Sequence, residues 1–600
     1  MFTKSTDQRL LRAAGLWVLI LLVFLALPQV SSLEGQGTTA TVSGTVQDET
    51  GGVLPGVSIS VEEVNTGSFR TAVSDDLGRY RVPLLEPGTY QIQAELSGFQ
   101  TAVRTGVKLE VGARAIIDFP LTIGEITERV VVQGAAPLVE TTTTSMAGLV
   151  DDKKIRDLPL NGRNYEQLAI LQTGVSTARF SSTGSPGGSG TSFAAAGSRP
   201  STNNFMVDGV NISNYKDSTG SAADTNLGVE SIREFKVMTS TYSAAYGRNS
   251  GAVINVVTQS GTNQWHGSLF EFHRNSALDA KNFFDDTSKD IPAFKRNQFG
   301  FAVGGPISQD RTFIFANYEG LREGLGLTNI AVVPDAASRQ GILPEFGSDG
   351  FPTGGTRNIV VADSVKPFLE FFPLPNGRNF GDGSGEFLSG PNRTTNEDYF
   401  STRFDHHFTT QDNIFVRYTF DEADVLTPDN HQFLESQAFS RTQSGVIEYR
   451  KIFSPTFINT ARFGVNRSFL ERFSNSISGQ VPTFVPNGQT MGQIRFGRSQ
   501  GGQLGLTTLG SSSPQLNPYT SYQYSDDFNW TAGSHGIQGG ASVTRIQNNA
   551  ITFGTGTLGQ YTFRTLEEFL QGQAQQFQAD TAESTRRRGW RQTLFGFYLQ

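Results

Sequence analysis

Residues 259–600 repeat one pattern: short segments of alternating polar and apolar residues, joined by connections that are alternately very short and very long. Phe299, Phe301 and Val303 alternate with Gln298, Gly300 and Ala302, and Ile414, Val416, Tyr418 and Phe420 alternate with Phe415, Arg417 and Thr419. Ser401, Arg403, Asp405 and His407 form a polar face opposite Phe400, Phe404 and Phe408. Ten strands are predicted, at 265–274, 296–304, 311–322, 397–409, 412–422, 440–453, 457–470, 519–530, 535–548 and 591–600. The connections 305–310, 410–411, 454–456 and 531–534 are short; 275–295, 323–396, 423–439, 471–518 and 549–590 are long. Period-two alternation alone also suits a soluble sandwich, but a compact soluble domain does not carry several structureless loops of such length. Tight turns at one end and large loops at the other are the pattern of a transmembrane antiparallel β-barrel, with the turns in the periplasm.

Composition agrees with a mainly β chain. Charged residues are 17% of the total against about 25% in ordinary domains, and there are 46 Phe and 15 Tyr, a bias toward strands. There is no Cys, which excludes disulfides, thiolate nucleophiles and cysteine-ligated zinc. Net charge is −8 and the longest run of like charge is Arg586–Arg588, so no nucleic-acid partner is expected. Lys4, Arg9 and Arg12 precede twelve apolar residues, Leu16 to Leu27, then Pro28 and small or polar residues. Spanning a bilayer as a helix takes about 20 such residues, so 1–34 is expected to be a secretory signal peptide.

Residues 38–123 contain six or seven short β-rich segments separated by turn residues at Gly51-Gly52, Asp75-Asp76, Pro87-Gly88 and Gly98. That spacing predicts a small antiparallel β-sandwich, immunoglobulin/prealbumin-like in class. Residues 135–260 are mixed: short helices are expected around Leu158-Pro159, a flexible Ser/Gly-rich loop over 181–197, and strands at 232–239 and 252–258. Asp208-Gly209 is a tight-turn signal, because Gly accepts positive φ and Asp bonds its own backbone.

Three segments carry a resemblance: LPLNGRNYEQL at 158–168, FMVDGVNIS at 205–213, and SAAYGRNSGAVINVVTQSGTNQWHGSLFEF at 243–272. They resemble an Oar-like TonB-dependent outer-membrane transporter or receptor at the end of its plug and the start of its barrel. Gly44, Asp48, Pro55-Gly56, Asp76, Gly78, Tyr80, Pro87-Gly88, Tyr90 and Gly98-Phe99 resemble the carboxypeptidase regulatory-like domain, a structural or interaction module without peptidase activity. The resemblance implies an α+β plug domain over 135–260 and a barrel from 261 to 600. Plugged barrels have about 22 strands, so ten strands ending at Phe595-Gly596-Phe597-Tyr598-Leu599-Gln600 imply a partial barrel whose later strands lie beyond this sequence.

The resemblance also implies function: binding of an extracellular ligand and its import as TonB remodels the plug. The alternative is a surface receptor or adhesin, or an export-assisting protein, without uptake. Outer-membrane lipid is the surrounding partner. Glu128, Arg129, Val130, Val131, Val132 and Gln133, in the 126–134 linker, resemble a TonB box, which recruits TonB's periplasmic domain by strand addition. Glu230, Arg233 and Glu234 are candidates for a charge pair across the plug–barrel interface, because a buried charge there requires a partner.

Enzymatic readings lack their residues. His266, His273, His406, His407, His431 and His535 form no HExxH or HxxE pair, and His406 and His407 point to opposite faces of one strand. Asp285-Asp286 and Asp526-Asp527 have no recognisable acid–base framework, and Gly554 to Gly559 matches GxGxxG without a following βα unit. No metal or cofactor is expected.

Overall fold

The computed structural model describes residues 38–124, 129–133, 146–177, 193–199, 202–214, 228–247, 250–281, 290–348, 352–477, 479–485, 490–497, 505–511, 514–532, 535–552, 557–581 and 587–600. The expected signal peptide, Glu128, Asp285-Asp286 and most of the Ser/Gly-rich loop lie outside them.

The amino-terminal unit is a two-sheet sandwich. Ala40–Asp48 pairs with Arg79–Leu85, Arg114–Ile116 and Phe119–Leu121; Phe69–Val73, Ser58–Glu63, Gly88–Glu95, Thr101–Leu109 and Arg129–Gln133 form the facing sheet in that order. Alternate residues of both sheets, among them Val42, Val46, Ile59, Val61, Tyr80, Ile92, Leu109 and Phe119, close one apolar core. The sandwich is not purely antiparallel. Ala40–Asp48 pairs in parallel with both short strands after residue 113, and Arg129–Gln133 pairs in parallel with Thr101–Leu109. Each of these parallel pairs closes through a longer crossover, which the turn spacing does not reveal.

The plug is a five-stranded mixed sheet. Its strands run Met146–Val150, Ile232–Ser240, Val253–Thr258, Asn204–Val207, Val210–Asn211, and Val253–Thr258 is buried along its whole length. The helix Asp152–Asp157, capped by the Asp151 side chain on Lys154 N, and the 3-10 helix Tyr165–Leu171, capped by Asn164 on Glu166 N, cover it. Ile155, Tyr165, Leu168, Phe205, Phe235 and Ile254 share its core.

All ten predicted barrel strands form, in sequence order, as one antiparallel sheet: His266–Asn275, Phe294–Ser308, Thr312–Gly326, Asn392–His407, Asp412–Pro428, Leu434–Ser454, Phe457–Ser476, Gln515–Ala532, His535–Thr552 and Arg587–Leu599. The sheet is open, with the first and last of these at its edges. The longest has 21 residues, where crossing a bilayer takes about 9–11. Strands therefore continue past the membrane on the long-loop side, and the connection expected over 423–439 shrinks to 429–433.

The outward face locates the bilayer. Along Asp412–Pro428, Ile414, Val416, Tyr418 and Phe420 point outward between two charged levels: Asp412 paired with Lys451 (2.8 Å) below, and Glu422 paired with Arg441 above. At about 3.3 Å per residue and about 45° tilt, the ten steps from Asp412 to Glu422 span roughly 23 Å, the height of an outer-membrane apolar band. Phe408, Phe453 and Trp530 are exposed near the turn end, where an aromatic girdle belongs. The inward face is polar, with Glu319, Glu397, Arg417, Glu448 and Asn466 all buried.

The sequence predicts structureless loops in the long connections, but among the described residues those over 323–396, 423–439, 471–518 and 549–590 fold. They contribute Asn329–Pro334, Ile342–Phe346, Pro352–Asn358, Ser384–Ser389, Gln493–Phe496, Gln560–Phe563 and Gln576–Gln578, and four of them close a single lobe around Phe372, Phe433, Met491, Leu509, Phe563 and Phe569. Their Phe content, spread over separate loops, carries no period that sequence reading could detect.

Val416→Arg places a cation at mid-band and is expected to lower the unfolding free energy in bilayers by about 2–4 kcal/mol, while Ile414→Arg, near the lower boundary, costs about 0–1 kcal/mol. Urea titration in vesicles measures both, and equal costs would contradict this placement.

Candidate functional site: the plug–barrel interface

The turn between Asn204–Val207 and Val210–Asn211 sets the interface. Asp208 takes φ 48° and Gly209 φ 77°, the left-handed conformations that let the strand reverse in two residues. The reversal aims the Asp208 carboxylate at the barrel wall, where Oδ2 accepts from Arg417 Nε at 2.7 Å and Arg403 Nη1 lies 3.6 Å from Oδ1. The same carboxylate accepts from Thr258 N at 3.0 Å and Thr258 Oγ1 at 2.8 Å, tying the turn to the plug's central strand. Arg403 also binds Asp405 at 2.8 Å and lies over the Phe415 ring at 4.2 Å. Two carboxylates and two guanidiniums thus balance in a site where Arg417 and Asp208 are only 1% and 3% exposed. Such a group is tolerated only with its charges paired and its lone pairs satisfied.

A second cluster lies on the LPLNGRN turn. Gly162 at φ 73° and Arg163 at φ 52° turn the chain outward, and Arg163 pairs with Glu230 (2.9 Å) and with barrel Glu319 (3.1 Å). Its guanidinium lies between Phe270 and Phe272 of the first barrel strand, at 4.3 and 4.9 Å. Glu319 accepts further from Gln298 Nε2 (2.7 Å) and Gly228 N (3.0 Å). Elsewhere Gln523 of the barrel clamps Asn211 twice, accepting from its N–H at 2.9 Å and donating to its carbonyl at 2.7 Å.

The three charge candidates separate. Glu230 reaches the barrel, accepting from Ser268 Oγ at 3.3 Å and sharing Arg163 with Glu319. Glu234 does not face the barrel: it turns to the sandwich, where it accepts from Val111 N at 2.5 Å. Glu230 lies in the 3-10 turn Val229–Ser231 just before the strand that carries Glu234, so strand periodicity does not relate the two. Arg233 lines the junction of sandwich, plug and barrel, with Glu86 and Arg450 on the same small cavity of about 60 Å³. Of the box-like segment, Arg129–Gln133 is extended and lies at the edge of a sandwich sheet, in register from Thr101↔Arg129 to Thr105↔Gln133. The sequence reading names Asp208 as a turn residue and Arg403 and Arg417 as polar-face residues, and it does not identify these, Arg163 or Glu319 as interface charges. The available signal was an Arg on the inward face of two adjacent strands, opposite Phe on the outward face, since an inward charge needs a partner.

Comparison with known proteins matches three families along the chain. The outer membrane beta barrel domain family matches residues 257–600, the TonB-dependent receptor plug domain 139–254, and the carboxypeptidase regulatory-like domain 41–122. The first match covers more than half of the sequence, and the chain belongs to that outer-membrane β-barrel family. The TonB-dependent transporter Oar of Myxococcus xanthus is 27% identical over 297 residues, 47% of this chain and 26% of Oar, so the chain spans about a quarter of that relative. Among solved structures, the outer membrane transporter YddB from Escherichia coli aligns with TM-score 0.45 and 11% identity, over 76% of this chain and 53% of YddB. The siderophore receptor PirA from Acinetobacter baumannii aligns with TM-score 0.40 and 13% identity, over 68% and 48%.

Asp208→Ala leaves Arg417 buried without its anion and is expected to destabilise the plug–barrel assembly by about 3–5 kcal/mol, whereas Asp208→Ala/Arg417→Met recovers most of that loss. Denaturant titration of plug release measures the cycle; additive single costs would contradict the pairing.

Burial pushes the Glu234 carboxyl up to about 7, against the opposing pull of Arg233, the Val111 N–H and Lys108, with Glu110 adding to the rise. The packed state therefore binds more protons than a state in which Glu234 is free. The sandwich–plug contact is expected to be firmest below the carboxyl's ordinary range, to weaken as pH rises toward about 7, and to level above it. Hydrogen exchange of the Val111 amide from pH 5 to 8, after correction for intrinsic rates, should show this slope, and Glu234→Gln should abolish it.

Proposed function

We propose that the protein is a TonB-dependent outer-membrane transporter that binds an extracellular ligand and imports it when TonB displaces the plug. The observation that carries this reading is a plug seated in a barrel wall through buried charge pairs, Asp208 with Arg417 and Arg163 with Glu319. Polar pairs can be taken over by water once the plug moves and the site opens, whereas an apolar interface of the same extent would expose its whole surface at a cost. Outer loops gathered into one lobe support ligand capture outside.

The segment Glu128–Gln133 is proposed as the TonB box. Arg129–Gln133 is extended, lies at a sheet edge between sandwich and plug, and exposes Val131, features that suit capture by strand addition. The domain limits that accompany this reading are 1–34 signal peptide, 38–123 sandwich, 126–134 box and linker, 135–260 plug and 261–600 barrel. The second reading, a surface receptor or adhesin, draws on the same folded lobe.

Val131→Cys, in a chain with no other cysteine, is expected to form a disulfide with a cysteine placed in the edge strand of TonB's periplasmic domain. Deletion of 128–133 is expected to abolish uptake while surface binding persists. Uptake that survives the deletion would contradict the box, and an intact protein that binds at the surface without any uptake, before or after the deletion and with no crosslink, would favour the receptor or adhesin.

A further inference from the structure

The sandwich is docked, and at a specific place. Its hairpin loop after Ser58–Glu63 is held rigid by the Glu63 carboxylate, which accepts from Asn65 N (2.9 Å), Thr66 N (2.7 Å) and Thr66 Oγ1 (2.9 Å). That loop rests on the first tight turn of the barrel. Asn65 O accepts from Asn263 N at 2.8 Å, and Asn263 exchanges two bonds with Asp310 of the turn, donating from Nδ2 (2.6 Å) and accepting from Asp310 N (2.8 Å). Gly67, at φ +69°, lies against Asp310 so closely that a β-carbon built on it would collide with Oδ1. Two further barrel turns are reached: the 408–411 turn lines the same cavity as Glu86 and Tyr90, and Arg450, near the end of Leu434–Ser454, lies 3.4 Å from both Leu84 O and Glu86 Oε1. Glu86 keeps 38% of its side chain exposed, so the last pair is a weak tether.

The same sandwich grips the plug. Thr101–Leu109 runs directly into Glu110 and Val111, and Val111 N donates to Glu234 on the plug strand Ile232–Ser240. Arg129–Gln133 is hydrogen-bonded along Thr101–Thr105 of that same strand. One sandwich strand therefore joins three things: the proposed box on its side, the plug at its end, and, through the body it belongs to, the barrel's turn end.

We propose that the sandwich is a latch across the turn end of the barrel, clamping Ile232–Ser240 of the plug, so that the plug moves only after the sandwich lifts. That tension on Arg129–Gln133 does the lifting rests on the transport reading above; the clamp itself does not. The partner surface is within the chain: Asn263, Asp310 and Arg450 on the barrel and Glu234 on the plug.

A β-carbon on Gly67 would stand 3.5 Å from Asp310 Cβ, within disulfide range, and the chain has no native cysteine. Gly67→Cys/Asp310→Cys, in the full reading frame and in native outer membranes, is expected to crosslink without an added catalyst, seen as a non-reducing mobility shift absent from either single variant. Amides of 232–240 are then expected to exchange about tenfold more slowly in the oxidised protein than after reduction. No crosslink would overturn the docking, and a crosslink with unchanged exchange would overturn the clamp. Because cysteine at the left-handed Gly67 is strained, Asp310→Arg supplies the opposite arm. It removes the partner of the Asn263 side chain and puts a long side chain where Gly67 packs, without altering Gly67 itself, and should speed exchange of 232–240 about tenfold; unchanged exchange would again contradict the latch. Failure of ligand uptake or of TonB capture would leave all of these outcomes intact.

Discussion

The structure depends on a charge that neither domain can hold alone. Arg417 projects from the inward face of a membrane-spanning strand into a site where it is nearly inaccessible, and its counter-ion, Asp208, comes from the plug. Isolated there, the guanidinium would bear a desolvation cost of several kcal/mol; paired, it fixes the plug's Asp208-Gly209 turn to one height on the wall. Thr258, at the end of the plug's central strand, holds the same carboxylate from the other side. Plug sheet, turn and wall are thereby tied together by three residues, Asp208, Arg417 and Thr258, and the Arg163–Glu319 and Gln523–Asn211 contacts add to that seat.

The barrel wall carries two solvents at once. Its outward face meets lipid over the height bounded by the Asp412–Lys451 and Glu422–Arg441 pairs, and its inward face is polar because it meets a polar plug. Beyond the upper charged level the strands keep running, since their hydrogen bonds persist where the lipid ends, and they support a lobe with its own aromatic core. At the other end the sandwich closes onto the tight turns. The loop lobe at one end and the sandwich at the other are thus joined through the wall, and the plug between them is held to it by polar and charged contacts.

Much of this was legible. Phe400 and Phe404 opposite Arg403 and Asp405 announce two faces, and the tight turns reveal the strand order without any structure. What escaped was long-range. Asp208 was read as a turn residue because its local conformation explains it fully, and nothing in FMVDGVNIS shows the arginines more than 190 positions away that it pairs with. Glu234 and Glu230 sit four residues apart and look alike in sequence, yet one ends on the sandwich and the other on the barrel side, because Glu230 lies in the 3-10 turn Val229–Ser231 and only Glu234 lies in the strand that follows. The lobe escaped for a related reason: its core is assembled from Phe372, Phe433, Phe563 and Phe569, one or two per loop, with no period in any one of them.

The central claim is that Asp208 and Arg417 form one buried ion pair between plug and wall. Solid-state NMR on native outer membranes, with 15N at Arg417 Nε and 13C at the Asp208 carboxyl, measures it directly. The account predicts strong dipolar coupling, corresponding to an Nε to oxygen separation of 2.7 Å, in the resting state. A coupling too weak to detect, with the plug folded and seated, would contradict it.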